Sequence, residues 1–298
     1  MTDRVLDIQS ASTIRFRNGC LQVDRTDFEP VSIPLRELGA VVVHAPLPQV
    51  TSSALAALAD QGIAPVFCNA KHVPTGVLTP LHAHHAGTER IGFQAQASKS
   101  MKNRAWQQIV KSKIVNQGVV LRNVTLEDYG YSDMARKVRS GDPQNIEARA
   151  SRHYWGHLFC DKSFRRSDES HWLNHRLNYG YAILRSMTVS TIVTRGLHPG
   201  LGIHHHNRYD PQPLASDVME PFRPLIDKVV ADIERDGKGN PGTLTSEEKL
   251  RIAGVVSLRI SKSKKTLSLS IALENLTNSL VDTFINGSRI LDLPIWQE

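Results

Sequence analysis

The sequence has few of the features that mark secreted, disulfide-linked or membrane-spanning proteins. Its three cysteines, Cys20, Cys68 and Cys160, are odd in number and widely spaced, which fits neither a disulfide framework nor a zinc-binding CxxC pair. The N-terminus MTDRVLDIQS lacks the apolar core of a signal peptide. The most apolar stretch, 179–193, contains Arg185 and is too short to cross a bilayer. We therefore predict a soluble, cytoplasmic protein.

Positive charge is present in excess, and it is unevenly distributed. The net charge is +7 over 298 residues, of which 40% are apolar, enough for a sizeable core. Residues 1–80 carry six Lys or Arg against seven Asp or Glu, whereas residues 81–298 carry thirty against twenty-two. A basic second part attached to a neutral first part suits a polyanionic partner such as nucleic acid.

The pattern of the sequence changes near residue 80. Before it, short β-prone runs alternate with turns, and Asn18-Gly19 between two such runs predicts a hairpin. The run 52–61 predicts one short helix, which Gly62 ends. We expect a small β-rich domain at 1–80 that serves as a dimerisation surface.

Helical periodicity follows a connector at 81–88. Long segments with few helix breakers predict an all-α domain at 89–298, so the expected fold class is α+β. The predicted helices cover residues 91–124, 143–159, 171–194, 214–235, 246–260 and 267–286.

The segment 202–224 combines a histidine cluster with a carboxylate that precedes a proline. It contains His204, His205 and His206, and Glu220 follows about fifteen residues later. An imidazole and a carboxylate can hold a divalent cation that keeps open positions for phosphate oxygens, as phosphodiester chemistry requires. A third ligand must then come from elsewhere in the chain.

Glu147 is the candidate for that third ligand. Asp142 can cap a helix that Pro143 opens, which places Glu147 in the first turns. The alternative is an ordinary first-turn glutamate that the helix dipole stabilises.

Glu220 and the histidines have ordinary alternatives as well. Glu220 could form a capping box with Asp217 at the start of a helix, or lie where Pro221 kinks a continuing helix. The three histidines could belong to a solvated loop beside Asn207. Neither group identifies a metal site by itself.

Three stretches together resemble the integrase of CRISPR spacer acquisition, the first-numbered Cas protein, and most closely its type II branch. They are NIEARASRHYW around Glu147, LNYGYAIL at 177–184, and GIHHHN to DVMEPFRP across 202–224. The family's architecture is also a β-rich domain followed by a larger helical one. We interpret the second stretch as a structural helix in which Gly180 and Ala182 permit the close approach of another helix.

The resemblance implies a site and a reaction. Glu147, His205 and Glu220 would be the catalytic residues and the ligands of Mg²⁺ or Mn²⁺, with His204 or His206 as the ligand if the match is shifted. In this reaction the 3′-hydroxyl end of a short DNA duplex attacks a phosphodiester at the edge of a CRISPR repeat, and endonuclease activity accompanies it. The resemblance further implies a homodimer and a complex with the small second-numbered Cas protein, in the cytoplasm of a prokaryote.

Basic side chains are candidates for contacts with DNA phosphates. Those in the loop CDKSFRRSDES are Lys162, Arg165 and Arg166. Those on the first long helix are Lys99, Lys102, Lys111 and Lys113.

Two other functions stay open on the sequence alone. One is a non-catalytic DNA-binding scaffold, in which the carboxylates and the histidine only cap helices or line a loop. The other is a metal-dependent nuclease for the repair of branched DNA, which would share the site but not the purpose.

Overall fold

A computed structural model gives the fold of the chain. It describes residues 4–296 apart from 46, 70–73, 81–82, 128, 206–207, 238–241, 258, 263–264 and 295. Strands dominate up to Val77, and helices dominate from Gly87 onwards, so the predicted fold class is confirmed.

The N-terminal part contains two four-stranded sheets. Their strands are β1 (Arg4–Ile8), β2 (Thr13–Arg17), β3 (Cys20–Asp24), β4 (Val31–Pro34), β5 (Leu38–Val43), β6 (Gln49–Val50), β7 (Val66–Cys68) and β8 (Pro74–Val77). The strand order is β1-β5-β7-β8 in one sheet and β4-β3-β2-β6 in the other. β1, β5 and β7 run parallel.

The local signals of this part are confirmed. Asn18 and Gly19 have φ angles of 50° and 75°, and they join β2 to β3 in the register that pairs Arg17 with Cys20. Helix α1 (Ser52–Asp60) begins after Thr51, whose side chain accepts from the Ala54 N–H.

The rest of the described chain is mainly helical. Its helices are α2 (Gly87–Gln96), α3 (Lys99–Thr125), α4 (Tyr131–Lys137), α5 (Ile146–Leu158), α6 (Trp172–Thr194), α7 (Pro213–Met219), α8 (Arg223–Arg235), α9 (Ser246–Ala253) and α10 (Leu269–Asn286). None of the helices in the described part of the chain is both long and apolar enough to cross a membrane.

Some predicted helices differ from the observed ones, and one observed helix was not predicted. The helix expected at 91–124 is two helices, because Ser98 adopts an extended conformation and caps α3. α4 was missed, since it is only seven residues long. The helix expected at 246–260 ends at Ala253, and β9 (Arg259–Lys262) and β10 (Lys265–Ser268) then form an antiparallel pair. This part is therefore not purely helical, and the strands contain the β-branched residues Ile260 and Thr266.

The two parts of the chain pack against each other through α6. Ala40, Val42 and Ala64 from the N-terminal part belong to the same apolar core as the helices. Ser186 on α6 donates to the Ala64 carbonyl at 2.6 Å, and the Ser190 hydroxyl accepts from the Ala64 N–H at 2.7 Å. Since the parts share a core, the division into domains at 1–80 and 89–298 with a linker at 81–88 stays a prediction.

Gly180 permits close helix packing, as predicted from the sequence. A Cβ atom at this position would lie 2.3 Å from Ile226 Cγ2 on α8 and 3.0 Å from Ile252 Cγ2 on α9. α6 can therefore approach both helices more closely than any larger residue would allow.

Candidate metal centre

Glu147 lies in the first turn of α5, and a neighbouring carboxylate fixes that turn. Asp142 accepts hydrogen bonds from the Ile146 N–H at 3.0 Å and from the Glu147 N–H at 2.9 Å. Asp142 thus binds N–H groups of the first turn as expected, but the helix begins at Ile146 rather than at Pro143, and its N-cap residue is Asn145. Ser151, one turn along, donates to Glu147 Oε1 at 3.3 Å. The hydrogen bonds to Asp142 determine where the Glu147 side chain leaves the helix.

Glu220 lies where α7 gives way to α8. Pro221 has no backbone N–H, so the chain forms a short 3-10 turn at Glu220–Phe222 before α8 begins. Of the two alternatives for this region, the kinked helix is the one observed. Asn116 on α3 donates to the Pro221 carbonyl at 2.8 Å, which ties the kink to α3. Glu220 is buried, with 4% of its surface exposed.

Lys113 on α3 brings the two glutamates together. Its ammonium group contacts Glu147 Oε1 and lies 2.6 Å from Glu220 Oε2. Arg223 adds a second cation, with its Nε 3.1 Å from Glu220 Oε1. Two carboxylates separated by more than seventy positions in the sequence therefore share one small, largely buried charge cluster.

The cluster shifts the pKa values of its members. Burial alone would raise the pKa of Glu220, but the charges of Arg223 and Lys113 lower it to about 2. Burial would lower the pKa of Lys113, yet Glu220 and Glu147 together raise it above its usual value. Glu220 and Lys113 are consequently both ionised near neutral pH.

His205 is held beside this cluster by Asp217. Its Nδ1 lies 2.6 Å from Asp217 Oδ1, and the fully buried carboxylate also accepts from the backbone N–H groups of Ile203, His204 and His205. The hydrogen bond to Asp217 is the largest cause that raises the pKa of His205, and the charge of Glu220 contributes to it. His205 in turn contributes to the lowered pKa of Glu220, so the two side chains lie within electrostatic reach.

The loop that carries His205 also packs on α3. The His204 ring stacks on Trp106 with centroids 4.2 Å apart and planes 2° from parallel, and the His205 ring meets Trp106 edge-on at 5.4 Å. His204 thus stacks on an aromatic face, whereas the His205 ring is held by its hydrogen bond to Asp217. His206 and Asn207 lie outside the described residues.

The donor atoms of this site suit a hard divalent ion. In the described part of the chain, no three His, Cys, Asp or Glu side chains are grouped so that they could hold a metal ion. The Lys113 ammonium lies between Glu147 and Glu220. A positive charge therefore already lies where the two carboxylates converge. Glu220 Oε2 is buried and, among the described residues, has no partner with hydrogen-bond geometry. Two carboxylates and an imidazole match the preferences of Mg²⁺ and Mn²⁺ better than those of a closed zinc site.

Three functional groups of this site escaped the sequence analysis. Lys113 was assigned to phosphate contacts, but its side chain is buried between the glutamates. Asp217 was considered only as a helix cap, and Arg223 was not singled out. Asp217 and Arg223 each lie three positions from Glu220, so their place in one helical region was the available signal.

The candidate DNA-contacting residues of the loop after α5 have different surroundings. Lys162 and Arg165 are exposed. Arg166 instead donates to Asn174 Oδ1 at 2.9 Å and to Asn178 Oδ1 at 2.8 Å, and its guanidinium lies over the Tyr181 ring. Arg166 therefore connects this loop to α6.

Comparison with known proteins gives a consistent result. The family model described as CRISPR associated protein Cas1 matches residues 6–268. The CRISPR-associated endonuclease Cas1 of Neisseria meningitidis serogroup C (strain 8013) is 30% identical over 281 residues, which cover 94% of this chain and 91% of that protein.

Two solved structures share the fold. A casposase bound to its integration product superposes with a TM-score of 0.79 at 16% identity, over 99% of this chain and 94% of that one. A chain of a Cas6-RT-Cas1–Cas2 complex superposes with a TM-score of 0.78 at 21% identity, over 100% of this chain and 36% of that one.

Proposed function

This chain belongs to the Cas1 family of CRISPR-associated proteins, and from that premise we propose that it is a metal-dependent DNA integrase with associated endonuclease activity. It would insert short duplex DNA into a CRISPR array by attack of 3′-hydroxyl ends on phosphodiesters of the repeat. The proposal assigns Glu147, His205 and Glu220 as the catalytic residues and as the ligands of Mg²⁺ or Mn²⁺.

One observation carries this proposal. Glu147 and Glu220 come from different helical segments, yet both contact the same Lys113 ammonium. Carboxylates that only capped their own helices would have no reason to share one buried cation. The burial of Glu220 and its lowered pKa of about 2 also favour an acidic group kept ionised for a purpose.

The protein's own groups would prepare the site for phosphoryl transfer. When bound, a divalent ion supplies Lewis-acid polarisation of phosphate oxygens and lowers the pKa of a hydroxyl. Glu147 and Glu220 would orient it from two directions, and Arg223 would hold Glu220 in place through the ion pair at 3.1 Å. Because a DNA 3′-hydroxyl is the nucleophile, no side chain has to form a covalent intermediate.

The proposed role of His205 depends on which ring nitrogen carries the proton. If Nδ1 carries the proton that Asp217 accepts, the lone pair lies on Nε2, the nitrogen available to a metal. Three backbone N–H groups of the loop donate to Asp217, and these bonds would keep the loop and the His205 ring in this orientation.

DNA and partner proteins complete the proposal. The exposed Lys162 and Arg165 would contact DNA phosphates, which suits the basic character of the second part of the chain. Arg166 is a weaker candidate, because its guanidinium is bound to side chains of α6, whereas that of Arg165 donates only to carbonyls of its own loop. We further propose a homodimer, a complex with the small Cas2 protein and a location in the cytoplasm of a prokaryotic cell.

Strand-transfer assays test the proposed chemistry. Labelled short duplex DNA and supercoiled plasmid are incubated with Mn²⁺ and either the native protein or Glu147→Ala, His205→Ala or Glu220→Ala. We expect each substitution to lower joining by at least about 100-fold, the scale of a lost catalytic group. Glu274→Ala is the matched control, because Glu274 forms a partly exposed ion pair with Arg195 outside the site.

The same assay separates the alternatives. If the three variants join DNA as well as the native protein does and a chelator has no effect, the metal centre is refuted. If the native protein binds DNA but never joins it, the scaffold function is favoured instead. Cleavage of branched DNA without any joining would favour a repair nuclease.

A further inference from the structure

Lys113 holds a position that the sequence analysis did not anticipate. Its ammonium contacts Glu147 Oε1 and lies 2.6 Å from Glu220 Oε2, while the side chain is largely buried. An unpaired buried ammonium would be costly, and so would two unpaired buried carboxylates. Lys113 therefore compensates part of the charge of the two glutamates, and the ion pair of Arg223 with Glu220 brings the site to charge balance without any added ion.

The position of Lys113 is fixed by the helix that carries it. Ser112, its neighbour, donates to the Pro294 carbonyl at 2.6 Å. Asn116, one turn further on, donates to the Pro221 carbonyl at 2.8 Å and to the Pro294 carbonyl at 3.0 Å. The backbone of α3 is thus attached to the turn that carries Glu220. The ammonium can leave the glutamates only by a change in its own side-chain torsions, which a lysine makes readily.

The charge balance shows what a divalent ion would meet. Glu147 and Glu220 supply two negative charges, and Lys113 and Arg223 supply two positive ones. An added Mg²⁺ or Mn²⁺ would face an ammonium already on the oxygens that it needs, in surroundings where like charges repel strongly. Arg223 can stay, because it approaches the other oxygen of Glu220. Lys113 is the group that has to be displaced.

We propose that Lys113 is a built-in counter-cation of the active site, which keeps Glu147 and Glu220 together in the metal-free protein and competes with the divalent ion for them. It is a positioning residue that sets metal affinity. This inference rests on the proposed function, because it concerns the same three-residue site. Because of this competition, an ion that binds the glutamates weakly does not displace Lys113.

Metal binding by a Lys113→Gln variant tests the competition without DNA or catalysis. Glutamine keeps a polar side chain of similar length but has no charge to displace. Calorimetric titration with Mn²⁺ should give a Kd at least tenfold lower for the variant than for the native protein. Mn²⁺ should also raise the melting temperature of the variant more, because the metal-free variant has lost a counter-charge. Lys228→Gln is the control, since Lys228 forms a partly exposed pair with Asp232 outside the site.

A second measurement uses the native protein and does not depend on a variant that folds. An amine-reactive reagent is applied with and without Mn²⁺, and labelling of Lys113 is quantified by mass spectrometry. We expect Mn²⁺ to increase labelling of Lys113 severalfold and to leave labelling of Lys228 unchanged.

The outcomes separate this inference from the proposed function. If both proteins bind Mn²⁺ with the same Kd, or the variant binds more weakly, or Mn²⁺ leaves the labelling of Lys113 unchanged, the competition is refuted while the metal centre stands. If neither protein binds Mn²⁺, the proposed metal centre fails, and the inference fails with it.

Discussion

Asp217 Oδ1 lies 2.6 Å from the imidazole Nδ1 of His205, and the same carboxylate accepts hydrogen bonds from three consecutive backbone N–H groups of the loop that carries this histidine. One buried side chain therefore sets both the path of the loop and the orientation of the ring. Partners of this kind fix the tautomer of a metal-binding histidine.

Asp217→Asn should weaken the site without removing a proposed ligand. The amide can accept fewer of these hydrogen bonds, and it carries no charge to favour the imidazolium. We expect DNA joining to fall roughly 10- to 100-fold. The pKa of His205, which Asp217 raises, should move down, as followed by NMR with a His205→Gln spectrum for assignment. An unchanged pKa would show that Asp217 does not control His205. Asp232→Asn, in a partly exposed ion pair with Lys228, is the control.

Arg165 and Arg166 should behave differently although they are adjacent. Arg165→Gln should weaken DNA binding and reduce the slope of log K against log salt by about 0.9, the amount for one phosphate contact. Arg166→Gln should instead lower the free energy of unfolding by about 1–3 kcal/mol, because Asn174 and Asn178 lose a charged donor. Equilibrium binding at several salt concentrations and urea denaturation give the two quantities. Equal effects of both substitutions on the salt slope would contradict this division.

Gly180→Ala should destabilise the fold through a single methyl group. The added Cβ would lie 2.3 Å from Ile226 Cγ2, and overpacking of this kind costs about 1–3 kcal/mol. Gly156→Ala on α5 is the matched control, since a Cβ there meets nothing within 4 Å and should stabilise the helix by about 0.5–1 kcal/mol. Urea denaturation measures both. In an Ile226→Ala background the cost of Gly180→Ala should shrink, and an undiminished cost would refute the contact.

His44 should make the protein less stable in mild acid. Burial, with a contribution from the charge of Lys249, lowers the pKa of His44 to about 4. Because a histidine in the unfolded chain titrates near about 6.5, the unfolded state binds the extra proton between these two values, and stability falls as the pH falls from about 6.5 to 4. The loss attributable to His44 should be roughly 2–3 kcal/mol.

Urea denaturation at a series of pH values measures this loss. His44→Gln has no group that titrates there, so its stability should depend less on pH within the same window. If the free energy of unfolding changes equally with pH in the native protein and the variant between pH 6.5 and 4, the imidazole of His44 is not buried in its neutral form.

Local sequence signals predicted the parts of this protein that depend on local physics. The Asn18-Gly19 turn, the binding of first-turn N–H groups by Asp142 and the buried face around Gly180 were all identifiable, because each depends on neighbours in the chain or on the size of one residue. Membership of the family followed from the motifs around Glu147 and Glu220 and is confirmed. The type II branch and the roles of the site residues stay predictions.

The tertiary structure decided what the chain assembles from distant segments. The periodicity of α3 could not show that Lys113, one basic residue among several on that helix, would be buried between Glu147 and Glu220. Nor could the spacing of Asp217 reveal that its carboxylate would bind the histidine loop. A sequence determines which side chains share a helix face, because that depends on local geometry. Which faces meet, and which charges are left to compensate one another, depends on packing that only the folded chain defines.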